Sequence, residues 1–404
     1  MSFDSWWSEI ADIGRDPKSG GYFRLVYSGP DLQLRRWFQE TAAGLHLDFE
    51  ADGNGNLWAW WHPELPGKAL VIGSHLDSVR DGGAFDGPLG VVSAFSVIEA
   101  LQASGFTPHC PIAVASFSDE EGARFGIACS GSRMMTGELT PERALALRDD
   151  EGMTMAQAIA GTLHDPRTFG PDPERLARIG HYVELHVEQG RGLIDMGAAV
   201  GVGSGIWPHG RFRFTFTGEA NHAGTTRMVD RHDPMLLLAR TALSANELAR
   251  RLGARATLGR VQITPNSTNG IPSGIAAWVD LRAATDATLE QVLNELRLRV
   301  ALDAAELEVA YEFLAESVTG PVNFDAALSD KLIKILGRDG SEVPILATGA
   351  GHDAGVLENA GIPAAMIFVR NPTGISHSPQ EFAETSDCHA GVAALTKVVR
   401  TLSG

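Results

Sequence analysis

The stretch GSHLDSVRDGGAFDGPLG, residues 73–90, carries the most information about the fold of this chain. The four apolar residues before it, 69–72, predict a buried strand that runs into a glycine-rich loop. This loop holds His75, Asp77 and Asp86 where the strand ends. Imidazole nitrogen and carboxylate oxygen both bind divalent metals such as zinc. A loop whose His and Asp side chains are merely solvated is the alternative interpretation.

Length and composition restrict the class of protein. A chain of 404 residues is too long for one ordinary core, so two domains are expected. Its hydrophobic content of 44% and charged content of 21% are typical of a soluble protein. The net charge of −17 argues against nucleic acid or an anionic membrane as a partner, since both require basic surfaces.

Cysteine usage and the first residues of the chain indicate a cytoplasmic location. The three cysteines, Cys110, Cys129 and Cys388, are far apart and odd in number, so we expect buried thiols in a reducing compartment. The N-terminal segment MSFDSWWSEI has neither the basic nor the apolar region of a signal peptide. No run of apolar residues is long enough to span a membrane.

The alternation of apolar segments predicts an α/β domain. Residues 30–45 and 91–101 have helical spacing of apolar residues, whereas residues 57–61 and 111–117 are typical of buried strands. Polar residues gather after the strand ends, which is where open α/β sheets bind ligands.

A second pattern occupies residues 209–320. Strands are predicted over 211–217, 259–264, 276–283 and 307–313, with helices over 234–252 and 289–302. The resulting order, strand-helix-strand-strand-helix-strand, is the split βαβ arrangement of a small α+β domain. After residue 322 the α/β pattern returns, with a buried strand at 364–369. We therefore expect a domain of residues 209–320 inserted into a discontinuous domain of residues 1–208 and 321–404.

Three further polar clusters accompany the loop at residues 73–90. Asp119-Glu120-Glu121 follows the strand at 111–117; an acidic helix N-terminus is its alternative interpretation. His186 lies in the strand-like run YVELHVEQG, where a buried histidine with a structural role is also expected. GISHSP, residues 374–379, follows the strand at 364–369 and contains His377.

Together these clusters suit a two-metal hydrolytic centre. The candidate ligands are His75, Asp86, Glu121, His186 and His377. Asp86 is the expected bridge, because a carboxylate has two oxygens to share. Glu120 is left over as a candidate base, and Asp77 is placed to orient the His75 ring.

At this point the chain resembles the M20 metallopeptidase clan. The resemblance rests on GSHLDSV with AFDGPLG, SDEEGARFG, ELHVEQG, GEANHAGTT, GAGHDA and GISHSP, and it runs from about residue 70 to residue 385. His186 and the DEEGARFG segment point to the amidase branch, which comprises N-carbamoyl-L-amino acid hydrolases, allantoate amidohydrolases and β-ureidopropionases.

The resemblance implies a fold and a set of roles. It implies a zinc-peptidase-like catalytic domain, with a mixed central sheet flanked by helices, and an inserted ferredoxin-like domain that dimerises and closes as a lid. The five ligands hold two divalent ions, which could be zinc, manganese, cobalt or nickel. His222 in GEANHAGTT stabilises the oxyanion, Asn269 and Arg282 hold the substrate carboxylate, and Gln189 is a plausible contact to the ureido or amide group.

These roles describe hydrolysis of a linear amide-type C–N bond. In this hypothesis a metal-bridging water gives its proton to Glu120, the hydroxide attacks the carbonyl, and Glu120 then protonates the leaving nitrogen. N-carbamoyl amino acids are the expected substrates. The alternatives are an N-acyl amino acid amidohydrolase or dipeptidase with the same centre, an allantoate amidohydrolase, and an inactive metal-stabilised scaffold.

Four segments depart from the family pattern. Arg227-Met228 follows HAGTT, Gly270 follows Asn269, and residues 206–209 and 369–373 also differ. All four lie near the hinge, the lid or the substrate end, so the substrate class is the part of the prediction that they leave open.

Overall fold

The computed structural model describes residues 3–160, 162, 165–337, 340 and 342–404. It divides into two compact units, one of residues 1–205 and 323–404 and one of residues 206–322. The predicted boundaries, at 208/209 and 320/321, lie close to these.

The strands of both units are numbered in chain order. They are β1 (Asp48–Ala51), β2 (Leu57–Trp61), β3 (Ala69–His75), β4 (Ile112–Phe117), β5 (Ile179–Val187), β6 (Val200–Ile206), β7 (His209–Thr217), β8 (Asn221–His222), β9 (Arg255–Thr264), β10 (Gly270–Ile271), β11 (Gly274–Arg282), β12 (Ala310–Thr319), β13 (Val322–Asn323), β14 (Ile345–Thr348) and β15 (Ala364–Val369).

The α-helices are numbered in the same way. They are α1 (Phe3–Ile10), α2 (Gly29–Gly44), α3 (Pro88–Ala103), α4 (Ser130–Thr136), α5 (Pro141–Ala146), α6 (Met155–Ile159), α7 (Pro173–Arg178), α8 (Gly192–Asp195), α9 (Pro234–Leu252), α10 (Asp286–Leu307), α11 (Ala326–Leu336), α12 (Asp353–Asn359) and α13 (Thr385–Ser403).

A mixed sheet forms the centre of the larger unit. Its strand order runs β1-β2-β4-β3-β5-β15-β6-β13, and β14 also pairs with β6. The four central strands, β4, β3, β5 and β15, are parallel to one another, whereas β2 and β6 pair with them antiparallel. The predicted α/β class with a mixed central sheet is therefore confirmed.

The parallel strands explain where polar residues collect. The carboxyl ends of parallel strands lie at one edge of the sheet, and that edge is where α/β folds bind ligands. β3 ends at His75, β4 leads into residues 118–121, and β15 leads into residues 370–377. β5 carries His186 one residue before its end. All four predicted polar clusters thus meet at this edge.

Helix α3 is the centre of the larger hydrophobic core. Twelve of its 16 residues are buried, as expected of a helix that is apolar on every side. Its Phe95 ring contacts the rings of Trp6, Trp37 and Phe38, with centroids 4.9–6.2 Å apart. Helix α3 starts at Pro88, where the glycine-rich loop ends. The packing of α3 in the core therefore fixes the end of that loop.

The smaller unit is an antiparallel sheet with two long helices. Its strand order is β12-β7-β11-β9, and α9 and α10 cover one face. Phe212, Phe214 and Phe216 are buried and alternate with more exposed residues, as predicted for a strand with one wet face. The βαββαβ order of these elements is the predicted ferredoxin-like arrangement.

Two local predictions are wrong. The strand predicted at 307–313 begins at residue 310, because α10 continues to Leu307 and ends where Glu308 adopts a left-handed backbone with φ +52°. The residues from 301 to 307, ALDAAEL, are mostly good helix formers, and Ala304 is buried against the sheet.

Among the thiols predicted to be buried, Cys110 is partly exposed, whereas Cys129 and Cys388 are buried.

Within the described part of the chain, no helix has the length and apolar character needed to cross a bilayer.

Candidate metal centre

His75 and Asp77 form the first part of the site. The Nδ1 atom of His75 lies 3.1 Å from the backbone carbonyl of Asp77 and 3.5 Å from its carboxylate. The Asp77 carboxylate accepts hydrogen bonds from the backbone N–H groups of Glu120 and Glu121, both 3.1 Å long. Asp77 therefore connects the His75 loop to the acidic segment after β4, and the proton on Nδ1 leaves Nε2 of His75 as the acceptor.

Asp86 lies between three histidines. Its Oδ1 is 3.1 Å from Nε2 of His186 and 3.6 Å from Nε2 of His75, and its Oδ2 is 3.5 Å from Nε2 of His377. The Nδ1 atom of His186 donates to the carbonyl of Val187 at 2.9 Å. As in His75, the proton on Nδ1 leaves the lone pair of Nε2 available to a metal ion. Both oxygens of Asp86 thus face imidazole nitrogens, as a bridging carboxylate requires.

Glu120 and Glu121 each approach one of these histidines. Oε2 of Glu121 is 3.4 Å from Nε2 of His377, whereas Oε2 of Glu120 is 3.7 Å from Nε2 of His75. The carboxylate of Glu120 is buried, and its Oε1 accepts a hydrogen bond from the buried Cys129 thiol at 3.6 Å. The two neighbouring glutamates therefore approach different histidines.

The donor atoms fit two divalent ions. His75, Asp86 and His186 offer ligand atoms within 4.8 Å of one another, and so do Asp86, Glu121 and His377. Nε2 of His75, Nε2 of His186 and Oε1 of Glu121 are buried without a hydrogen-bond partner. Buried polar atoms without partners are rare, and bound cations are one accepted reason for them. The shared member of the two groups is Asp86.

Proton affinities in this group are strongly shifted. Burial lowers the pKa of His75, but Glu120, Asp77 and Asp86 together raise it well above the usual value. Burial raises the pKa of Asp86, but His186 and His75 hold it well below the usual range. Burial, together with neighbouring carboxylates, raises the pKa of Glu120 well above the usual value despite the opposing effect of His75. Carboxylates crowded in this way favour a compensating cation.

Comparison with known proteins places this geometry in a family. Residues 71–401 match the model of peptidase family M20/M25/M40. The chain belongs to this family. An N-carbamoyl-L-amino acid amidohydrolase of Geobacillus stearothermophilus is 35% identical over 397 residues, which are 98% of this chain and 96% of that protein. An allantoate amidohydrolase of Escherichia coli (strain K12) is 30% identical over 401 residues, covering 98% of this chain and 96% of that protein.

A solved structure agrees with these relatives. An amidase of the hydantoinase/carbamoylase family from Burkholderia multivorans superimposes with a TM-score of 0.86 at 30% identity, covering 99% of this chain and 97% of that one. The predicted membership in the M20 clan and the resemblance to its amidase branch are confirmed by these matches.

His352 and Asp353 of GAGHDA in this M20 chain had no role predicted from the sequence. His352 is buried, its two ring nitrogens have no hydrogen-bond partner, and its ring centroid lies 4.6 Å from that of His186. Asp353 accepts a 2.5 Å hydrogen bond from Ser132. Glu184, His186 and His352 form a third group of possible ligand atoms. The signal that could have found them is an imidazole directly followed by a carboxylate, at the point where helix α12 begins.

The M20 site also contains Gln189, which was predicted from the sequence, and Glu381, which was not. Nε2 of Gln189 donates to Oδ2 of Asp86 at 2.7 Å. Glu381 is buried and accepts from the backbone N–H of Asp86 at 2.9 Å. Burial and the nearby Asp86 raise the pKa of Glu381 to about 7. Glu381 could not be predicted from the sequence because its partner is a backbone group 295 positions away.

Three predicted site residues of this M20 chain lie in the smaller unit. His222 in β8 is exposed and pairs with Gly270 of β10, and the carbonyl of Asn269 accepts from the backbone N–H of Ala223. The structure thus brings His222 and Asn269 together where β8 and β10 pair. Arg282 ends β11 and donates from Nε to Asp280 at 2.8 Å.

Replacing Asp77 by Asn tests the connection between the His75 loop and the glutamates. One side-chain oxygen then becomes an N–H donor that faces the N–H groups of Glu120 or Glu121, so the acidic segment should shift. We expect metal affinity to fall about 10- to 100-fold, as for other partners of metal ligands. Chelator competition measures this affinity, and an unchanged value would contradict the role of Asp77.

Proposed function

We propose that this chain is a metal-dependent amidohydrolase that cleaves the linear C–N bond of an N-carbamoyl amino acid. The observation that carries the proposal is the buried, unpartnered donor set around Asp86, with Glu120 beside it, in a chain that matches a carbamoyl amidohydrolase over 98% of its length. The relatives support the general part of this proposal, a metal-dependent amidohydrolase.

In this proposal five residues hold two divalent ions. His75 and His186 offer Nε2, Glu121 and His377 complete the other group, and Asp86 serves both. When bound, such ions polarise the substrate carbonyl and lower the pKa of water to about 7. His75 and His186 contribute by keeping their protons on Nδ1, where backbone carbonyls accept them.

Glu120 acts as general base and then as general acid. Its buried carboxylate has a raised pKa, so it accepts a proton from the attacking water readily and can pass the proton on. The hydroxide oxygen adds to the carbonyl carbon, and the C–N bond breaks as Glu120 protonates the leaving nitrogen. For a carbamoyl substrate the products are the amino acid, ammonia and carbon dioxide.

The smaller unit supplies three of the substrate contacts in this proposal. His222 donates to the oxygen that gains charge, and Asn269 and Arg282 hold the substrate carboxylate. A guanidinium suits this task because it binds carboxylates through two parallel hydrogen bonds. Gln189, in the larger unit, contacts the ureido group. We also expect a homodimer formed through this unit and a cytoplasmic location.

Substrate hydrolysis tests the proposal directly. The protein is freed of metal and reconstituted with manganese, cobalt or zinc, and ammonia release is measured with N-carbamoyl-L-amino acids, allantoate and ureidopropionate. Free amine is followed with N-acetyl, N-formyl and dipeptide analogues. We expect ammonia from an N-carbamoyl-L-amino acid.

The other outcomes separate the alternatives. Allantoate is the second candidate because of the 30% identity with an allantoate amidohydrolase. Ammonia from allantoate alone would select it, whereas free amine without ammonia would indicate an acylase or dipeptidase. Metal binding without turnover of any substrate in this panel would support an inactive scaffold.

A further inference from the structure

Glu381 lies between the two loops that carry Asp86 and His377. Its Oε1 accepts hydrogen bonds from the backbone N–H groups of Phe85 and Asp86, both 2.9 Å long. Its Oε2 lies 2.9 Å from the hydroxyl of Ser376, the residue before His377. One buried carboxylate therefore connects both loops.

Ser376 extends the connection to the side chain of Asp86. Its hydroxyl lies 3.0 Å from Oδ2 of Asp86, the same oxygen that faces His377. The loop is closely fitted around the carboxylate, since a Cβ atom added at Gly83 would collide with the Glu381 side chain. Glu381 thus fixes both the backbone and, through Ser376, the side chain of Asp86.

The loop that holds His377 needs such support. His377 adopts a left-handed backbone with φ +55°, which is unfavourable for a residue other than glycine and persists only where the surroundings enforce it. Asn371 braces the earlier part of the loop, because its side chain bonds the backbone of residues 373–375. The Ser376–Glu381 pair braces the part next to His377.

We propose that Glu381 and Ser376 are positioning residues that set the spacing between Asp86 and His377 for one cation of the pair. This inference rests on the proposed metal-dependent function, but its test measures metal affinity rather than turnover. The group of Asp86, Glu121 and His377 depends on both loops that Glu381 connects. The group of Asp86, His75 and His186 depends on only one of them.

The variants separate positioning from folding. Glu381→Ala removes every acceptor and should weaken the binding of one manganese ion about 10- to 100-fold, with a smaller effect on the other ion. Glu381→Gln should stay within about threefold of the parent affinity, because its amide oxygen accepts from the backbone and its amide nitrogen donates to Ser376. Ser376→Ala should weaken the same ion as Glu381→Ala.

The measurement is titration of the metal-free full-length protein with manganese in the presence of a competing chelator. The thermal midpoint of the metal-free protein is recorded in parallel, and Gln380→Ala, an exposed neighbour, serves as the control that should match the parent. Unequal loss at the two ions, with rescue in Glu381→Gln, supports the proposal. Equal loss at both ions, no loss in Glu381→Ala, or a Glu381→Gln variant as weak as Glu381→Ala overturns it. Because binding is measured without substrate, absence of carbamoyl hydrolysis would count against the proposed function alone.

Discussion

Replacing Glu120 by Gln is expected to lower kcat by roughly 10²- to 10⁴-fold, the contribution typical of a general acid–base residue. The amide has nearly the shape of the carboxylate, so the buried site should keep its packing. The amide cannot, however, accept a proton from water or return one to the leaving nitrogen. Metal content should stay at the parent value, since the donor atoms of both ligand groups come from other residues.

Turnover and metal content must therefore be measured on the same preparation. Initial rates with the best substrate give kcat, and elemental analysis gives the number of ions per chain. Glu151→Gln makes the same chemical change at an exposed position and should behave as the parent protein. If Glu120→Gln retained metal and more than a tenth of the parent kcat, another residue would have to act as the base.

Replacing Asp86 by Ala should remove both ions, because Asp86 belongs to both groups of ligand atoms. A ligand that binds the folded state at a hundred times its Kd stabilises that state by about 2.7 kcal/mol. The parent protein should gain stability of this order from added manganese, whereas the Ala variant should gain none. Activity should be lost and should not return when manganese is added in excess.

Thermal unfolding with and without manganese tests this expectation. Asp330→Ala, which removes an exposed carboxylate from α11, should show the full gain in stability and activity. A stabilised and active Asp86→Ala variant would mean that the ions are held without a bridging carboxylate.

The gathering of the four polar clusters could be predicted because three of them follow an apolar strand and the fourth, around His186, lies near the end of one. The sequence shows the change from the apolar residues 69–72 to the glycine-rich loop, and the change from the apolar residues 364–369 to GISHSP. Parallel strands then bring these ends to one edge. The order of the strands and the chemistry of the residues at their ends were therefore enough to predict a site at this edge.

Other features depend on contacts that no local pattern encodes. The Asp77 carboxylate accepts from backbone groups 43 and 44 residues away, although the sequence suggested only its short-range role beside His75. Glu381 likewise meets the backbone of Asp86 across 295 residues. Every residue carries a backbone N–H group, so its choice of acceptor is decided by tertiary structure.

The place of β15 in the sheet has a consequence for biosynthesis. β15 lies between β5 and β6, yet about 180 residues, including the whole smaller unit, separate it from β5 in the chain. Until β15 has left the ribosome, one side of the apolar strand β5 lacks its native neighbour, and open strand edges invite association with other chains. Such distant pairing also slows folding, because a long loop must close first. We therefore expect the β5 edge to stay open to such association while almost half of the chain is synthesised.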